Sequence, residues 1–329
     1  MAQNNGQIIE LTVEEIAPAS SVALTTPGAS WRDAIDEFIK QFDRKEGTRK
    51  LYARTLKLFF EWCEATGRRI CNLTRKDIID YKSDLVSRGL TSLSITSYLM
   101  SLRAFYEWAE SEKVYPNIAA GVKTPKRDKK FKKLHLPEHK PDELLQYFQS
   151  ISLRDYAIVN LLLRTGLRTI EVVRANVEDI TTFAGRRILR VWGKGHDTKD
   201  DFVILTEKAY QPIREYLATR PGAKGGEPLF TSNSHRNTGG RLTTRTISGL
   251  CKSGLKAIGL DGREYTAHSL RHTTGVEILK RSGMNIASAQ YVLRHTSPAT
   301  TQIYVDSIKD ELRFENAPES LLDGAFNFN

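Results

Sequence analysis

Residues 186–205, RRILRVWGKGHDTKDDFVIL, read as two short strands, RRILRVWG and DFVIL, joined by GKGHDTKD, a turn rich in Gly and Asp. On the N-terminal side the period changes. Leu153–Thr165 is an apolar helical run stopped by Gly166. On the C-terminal side, helices are expected around 206–219, 243–258, 268–282, 286–294 and 298–305. Residues 138–310 are therefore expected to form a mostly helical domain with a small antiparallel sheet.

The N-terminal third is helical and well punctuated. Ser30-Trp31-Arg32-Asp33 reads as a capping box, followed by Trp31, Ile35, Phe38, Ile39 and Phe42 at helical spacing. A second helix is expected from about Thr48 to Thr66, with Leu51, Tyr52, Leu58, Phe59 and Trp62 inward and Gly67 as its stop. Thr74-Arg75-Lys76-Asp77 opens a third that ends near Gly89. A fourth, from about Ser92 to Lys113, carries Ile95, Leu99, Leu102, Phe105, Tyr106 and Trp108 along one broad face. Residues 31–120 thus read as a four-helix domain whose aromatics pack a core rather than stack on bases. Residues 1–30 are expected as a flexible tail, and 311–329, acidic and then apolar, as a tail docked on a neighbour or on the protein's own body.

At 329 residues and 40% hydrophobic composition, the chain has length for about two domains at roughly 150 residues each. No apolar run approaches the roughly 20 residues that span a bilayer, and the N-terminus lacks the pattern of a secretory leader. Three cysteines, Cys63, Cys71 and Cys251, without CxxC spacing argue against a disulfide framework or a cysteine-built zinc site, so a reducing cytoplasm is expected. The net charge is +10, but residues 1–30 carry −3 and 306–329 carry −4, which leaves +17 on 31–305. Such a field favours a polyanion, nucleic acid above all. The densest basic stretch is GVKTPKRDKKFKKLHLPEHKP, 121–141, with Lys123, Lys126, Arg127, Lys129, Lys130, Lys132 and Lys133 among its cations and three prolines. It reads as an interdomain linker over 121–137 lying along a nucleic-acid backbone, with a nuclear-localisation signal as the competing reading.

Four motifs call for one explanation. Gly166-Leu167-Arg168-Thr169-Ile170-Glu171 follows the apolar helix, Lys194 lies in the Gly-flanked turn, His268-Ser269-Leu270-Arg271-His272 opens a helix, and His295 precedes Tyr304 by nine residues. Transesterification at phosphorus needs a nucleophile, donors for the nonbridging oxygens and an acid for the leaving oxygen. Two arginines fork onto phosphate oxygens, a lysine protonates an alkoxide, and a tyrosine attacks. No metal or other cofactor is required, and the sequence has neither the clustered carboxylates of a two-metal site nor a Walker or Rossmann glycine loop.

The ordered set Arg168, Lys194, His268, Arg271, His295 and Tyr304 resembles the tyrosine site-specific recombinases, the family of Xer proteins and phage integrases, with TGLRTIE, HSLRHT and TTQIY as close matches over about residues 31–310. The resemblance implies a SAM-like core-binding domain and a catalytic domain that close as a C-shaped clamp on DNA. It further implies that Tyr304 attacks the scissile phosphate to leave a 3′-phosphotyrosyl bond, and that Arg168 and Arg271 hold the nonbridging oxygens. Lys194 would protonate the 5′-oxygen, His268 would accept the tyrosine proton or order the site, and His295 would donate to the phosphate. Glu171 would support the arginine and histidine side chains. Tyr265 and Tyr291 compete with Tyr304 as nucleophile, and Pro298 with Thr300 and Thr301 favours Tyr304 on a short mobile helix. One position departs from the pattern: Arg294 stands before His295 where the family usually has Gly, which alters the turn or adds a DNA-binding cation.

The family also implies partners. These are double-stranded DNA with inverted-repeat core sites, a homotetramer on DNA from a free monomer, a Holliday junction, and an accessory DNA-bending protein, in a cytoplasmic, nucleoid-associated setting. Integration or excision of a mobile element is the first expectation for the biological role, with Xer-type dimer resolution or DNA inversion next. A type IB topoisomerase that reseals without exchange and a non-catalytic DNA-binding regulator are the remaining readings; the intact reactive set speaks against the last.

Overall fold

In the computed structural model, which describes Leu24 and residues 30–126, 134–192 and 198–316, the Ser30 hydroxyl accepts the Asp33 amide and opens α1 (Trp31–Gln41). The rest of the expected N-terminal tail, Arg127, Lys129, Lys130, Lys132, Lys133, Lys194 and residues 317–329 lie outside the described residues. Two units divide the chain, Met1–Lys129 and Lys130–Asn329.

The first unit continues with α2 (Glu46–Ala65), α3 (Arg75–Ser87) and α4 (Ser92–Ser111). Thr74 and Asp77 form the reciprocal capping box at the start of α3. Its core is aromatic: Trp31 stacks on Phe60 at 5.3 Å, and Phe105 meets Phe60 and Phe38 edge-on at 5.6 Å. The aromatics are thus turned to one another, as the helical spacing predicts. Leu51 departs from expectation and is exposed. The buried stripe of α2 is Thr55, Leu56, Phe59, Phe60 and Cys63, and Leu51 lies roughly 110° around the helix from the middle of that stripe. A hydrogen bond of 2.7 Å between Thr55 Oγ1 and Ser101 Oγ satisfies two buried hydroxyls where α2 approaches α4.

The second unit holds α5 (Lys140–Ile151), α6 (Leu153–Thr165), α7 (Thr169–Arg174), β1 (Ile180–Phe183), β2 (Arg186–Val191), β3 (Asp201–Ile204), α8 (Glu207–Ala218), α9 (Thr244–Ala257), α10 (Ala267–Arg281), α11 (Ile286–Leu293) and α12 (Pro298–Asn316). Helix α6 has the bounds its sequence predicts, capped by Ser152 and ended by Gly166 in the left-handed region. The antiparallel sheet has three strands in the order β1-β2-β3, one more than expected. Ala184 and Gly185, both at positive φ, make the tight turn that adds β1. Leu189, Val191 and Val203 of β2 and β3 join the core built around α6. Helix α12 runs to Asn316, beyond the expected end at 305, so residues 311–316 are helix rather than tail. The acidic segment after Tyr304 is rich in good helix formers, Lys309, Glu311, Leu312 and Arg313, and continues the turn that Pro298 starts. Among the described residues, no helix is long and apolar enough to cross a membrane.

Candidate active site

The bend at Gly166 turns the chain from α6 into α7 and sets Arg168 as the residue that precedes the helix. Arg241 fixes the other end of α7, donating to the carbonyls of Val173 at 2.7 Å and Ala175 at 3.2 Å. Helix α10 is tied to α6 by Thr274, whose hydroxyl donates to the Leu163 carbonyl at 2.7 Å. These anchors bring Arg168, His268 and Arg271 to one cavity of about 500 Å³, lined also by Thr169, Ser248, Lys252 and Thr266. The start of α10 faces this cavity, and the positive end of its dipole adds to the field of the arginines.

Arg271 is 2% exposed. It donates to the Gly166 carbonyl, to the Leu293 carbonyl at 2.6 Å, and toward the Tyr304 hydroxyl. Burial, and then the Arg168 charge, pull its guanidinium down to about 10, which leaves it charged at neutral pH. Tyr304, on α12, is 4% exposed and already seated against its own chain's groups. Its ring lies edge-on to His272 at 4.6 Å and stacks on His295 at 5.7 Å. Burial raises the phenol above its ordinary value, while Arg271 and Arg168 pull it back down. Of the rival tyrosines, Tyr291 is exposed on α11 and Tyr265 packs on the hydrophobic core.

His295 Nδ1 and Thr301 Oγ1 are 2.9 Å apart in the interior, so the helix that carries Tyr304 also sets the His295 ring. Burial, followed by Arg271, Arg168 and Arg294, lowers His295 to about 4, and burial lowers His272 to about 4 as well. Both rings are neutral at pH 7. Between pH 6.5 and 4 the unfolded chain binds protons that these folded rings do not, so stability is complete above pH 6.5 and falls as pH drops toward 4. The loss is expected to be on the order of 3 kcal/mol per ring. Thermal melts from pH 8 to 4 check this, and a midpoint unchanged between pH 6.5 and 5 would contradict it.

Arg294 corrects the sequence reading. It sits at the end of α11 in the left-handed region, φ 53°, so the backbone does adopt the conformation that suits Gly. Its side chain is only 8% exposed and is turned onto carboxylates rather than to solvent. It donates to Glu171 Oε2 at 2.7 Å, lies 3.2 Å from Asp201 Oδ2 on β3, and reaches the Val292 carbonyl at 3.2 Å. Glu171 also accepts from the Arg168 backbone amide at 2.7 Å and the Arg168 guanidinium at 2.8 Å.

Lys194 lies outside the described residues, as do five of the seven linker cations, Arg127, Lys129, Lys130, Lys132 and Lys133; Lys123 and Lys126 are exposed at the end of the first unit. The other lysine of the GKGHDTKD turn, Lys199, is held by Asp179 at 2.6 Å. The sequence reading missed His272, Thr301 and Asp201. The first two lie inside the HSLRHT and TTQIY motifs beside expected site residues, whereas nothing local marks Asp201. Among the described residues, no group of three or more His, Cys, Asp or Glu side chains is arranged to hold a metal ion.

The phage integrase family matches residues 135–311, and the phage integrase N-terminal SAM-like domain matches residues 35–113. The tyrosine recombinase XerC of Caldanaerobacter subterraneus subsp. tengcongensis is 29% identical over 308 residues, covering 85% of this chain and 84% of its own. Two solved structures share the fold. The XerH site-specific recombinase bound to palindromic difH substrate, a post-cleavage complex, has a TM-score of 0.66 at 20% identity, over 82% of this chain and 79% of that one. A lambda integrase dimer bound to a COC′ core site has 0.65 at 18% identity, over 84% and 77%. The chain belongs to the phage integrase family, the tyrosine recombinases, and is a DNA strand-transfer enzyme of that class.

Proposed function

We propose that the protein cuts and rejoins DNA strands at specific sites by transesterification, with Tyr304 as nucleophile and Arg168 and Arg271 as the clamp on the phosphate. The observation that carries this reading is the shared position of Arg271, which lines the cavity with Arg168 and His268 and also meets the Tyr304 hydroxyl. A phosphate entering the cavity takes Arg271 donors onto its nonbridging oxygens and brings phosphorus to the phenol. The Tyr304 oxygen bonds to phosphorus as the bond to the 5′-oxygen breaks. The phenolic proton passes to His268, and Lys194 returns a proton to the leaving oxygen. Neutral His295 donates from Nε2 when the Thr301 hydroxyl donates to Nδ1. The phosphotyrosyl ester keeps the bond energy, so rejoining to a new 5′-hydroxyl needs no ATP or metal.

Action on two inverted-repeat core sites as a tetramer, through a four-way junction, is the arrangement that the resemblance to the recombinase family supports. The basic stretch from Lys123 onward supplies contacts to the DNA backbone. The extent of likeness to XerC, 85% of the chain, favours Xer-type dimer resolution over integration of a mobile element as the biological role.

The test is covalent capture on nicked duplexes, from the coding locus and from a randomised pool, in EDTA on denaturing gels. The expected result is a DNA adduct mapped to the Tyr304 peptide, with four-way junctions from paired sites. Salt-sensitive binding without any adduct would move the protein to the regulator reading, and relaxation of any supercoiled plasmid without exchange to the topoisomerase.

Gly275 offers a sharper check on the seat of Tyr304. A Cβ there would come within 2.9 Å of both the Tyr304 ring and Leu293. Gly→Ala inside a helix ordinarily gains about 1 kcal/mol, but here the added methyl displaces the ring from Arg271. Gly275→Ala is expected to slow adduct formation by about 10-fold or more while DNA binding holds. Unchanged cleavage would show that the ring need not sit where it does.

A further inference from the structure

Arg294 pairs with two carboxylates from different elements, yet its backbone adopts a conformation that disfavours any side chain. Retaining a Cβ at φ 53° is unfavourable, so the side chain must contribute something that a glycine there would lose. Its contacts say what that is.

Glu171, 5% exposed, is gripped from two sides: Arg168 holds it through a backbone amide and a guanidinium nitrogen, and Arg294 holds Oε2 from the other side. Asp201 and the Val292 carbonyl fix Arg294 in turn. The next residue is His295, whose backbone is clasped by Gln290, the His295 amide donating to the Gln290 carbonyl and the Gln290 side chain donating to the His295 carbonyl, each at 3.1 Å. We propose that Arg294 is a positioning residue for strand cleavage, which holds Glu171 so that the Arg168 guanidinium stays presented to the phosphate, in register with His295.

The physical reason is competition for donors. A buried carboxylate with one cationic partner turns both oxygens onto that partner's fork, because the bidentate arrangement is the strongest on offer. With Arg294 removed, Glu171 has Arg168 alone and draws its guanidinium away from the cavity. Arg294 occupies the second side of the carboxylate, and Arg168 keeps an edge for the phosphodiester. The inference rests on the recombinase reading of the site and names a residue that acts through Glu171, not on DNA.

The full-length protein and its Arg294→Gly, Arg294→Lys and Asp201→Asn variants test it, on the nicked duplex that the wild type captures. Glycine suits the backbone, so any loss is not strain. Arg294→Gly is expected to bind the duplex within about threefold of wild type and to cleave it about 30-fold more slowly at saturation. Arg294→Lys keeps the charge with one partner and recovers part of the rate, and Asp201→Asn shows a smaller loss of the same kind. Wild-type cleavage by Arg294→Gly overturns the inference. So does weaker binding with a shallower salt dependence, which would make Arg294 a DNA contact, and so does a fall in melting temperature that accounts for the lost rate. If the wild type itself forms no adduct, the recombinase reading fails first and takes this inference with it.

Discussion

Tyr304→Phe is expected to form no covalent adduct with DNA, a drop of at least about 10⁵-fold in cleavage, while folding and binding stay close to wild type. The phenylalanine ring fills the same place against His272 and His295, since both contacts are made by the ring. Only the hydroxyl is lost, and with it one bond from Arg271, which keeps the Gly166 and Leu293 carbonyls as acceptors. Stability should therefore stay within about 1 kcal/mol. Tyr265→Phe and Tyr291→Phe serve as controls on the same duplex and should cleave normally. An adduct that survives in Tyr304→Phe and disappears in Tyr291→Phe would move the nucleophile to the exposed face of α11.

Burial of Tyr304 in the chain's own site bears on how cleavage is controlled. The sequence favours a short mobile helix that delivers the phenol, but α12 is 19 residues long and Ile308 is buried beside Tyr304 in the cluster formed with α10 and α11. Burial raises the hydroxyl above its ordinary value while Arg271 and Arg168 pull it down, so the phenol is protonated at neutral pH and its attack needs a base to take the proton.

Local signals in the chain were enough wherever punctuation and period agreed. Ser152 and Gly166 bracket α6, and Thr74 with Asp77 opens α3, because caps and left-handed stops are written within a few residues. Helix α5 was missed because it follows His139-Lys140-Pro141 at the end of a basic, proline-bearing stretch and buries only Leu144 and Phe148. Strand β1 was missed because ITTF is four residues long and leaves Phe183 exposed, so it lacks an alternating pattern. The site divides in the same way. Arg168, His268, Arg271, His295 and Tyr304 stand in recognisable motifs, and the fold brings them together. Arg294 was misread because a sequence displays a charge but not its burial, and Glu171 and Asp201, which neutralise it, are distant in the chain.

Arg271→Lys separates charge from geometry at the centre of the site. The guanidinium spans carbonyls from the end of α6 and the end of α11 and still reaches the Tyr304 hydroxyl, three directions that its planar fork serves at once. An ammonium keeps the positive charge but is a compact point on a flexible stem, and it cannot hold Gly166 and Leu293 while presenting two parallel donors to a phosphate. Leaving one buried carbonyl without its donor costs about 1–3 kcal/mol, which for a unit of this size lowers the melting midpoint by several degrees. The catalytic loss should be larger, at least about 10³-fold in cleavage at saturating DNA, because the missing bonds are those that strengthen as charge grows on the nonbridging oxygens. Binding of intact duplex, which draws on many phosphate contacts, should change by no more than about threefold. Single-turnover adduct formation measured beside a melt and a binding isotherm gives all three numbers. Cleavage near the wild-type rate would mean that the site needs only a cation at this point, and the clamp assigned to Arg168 and Arg271 would then rest on charge alone.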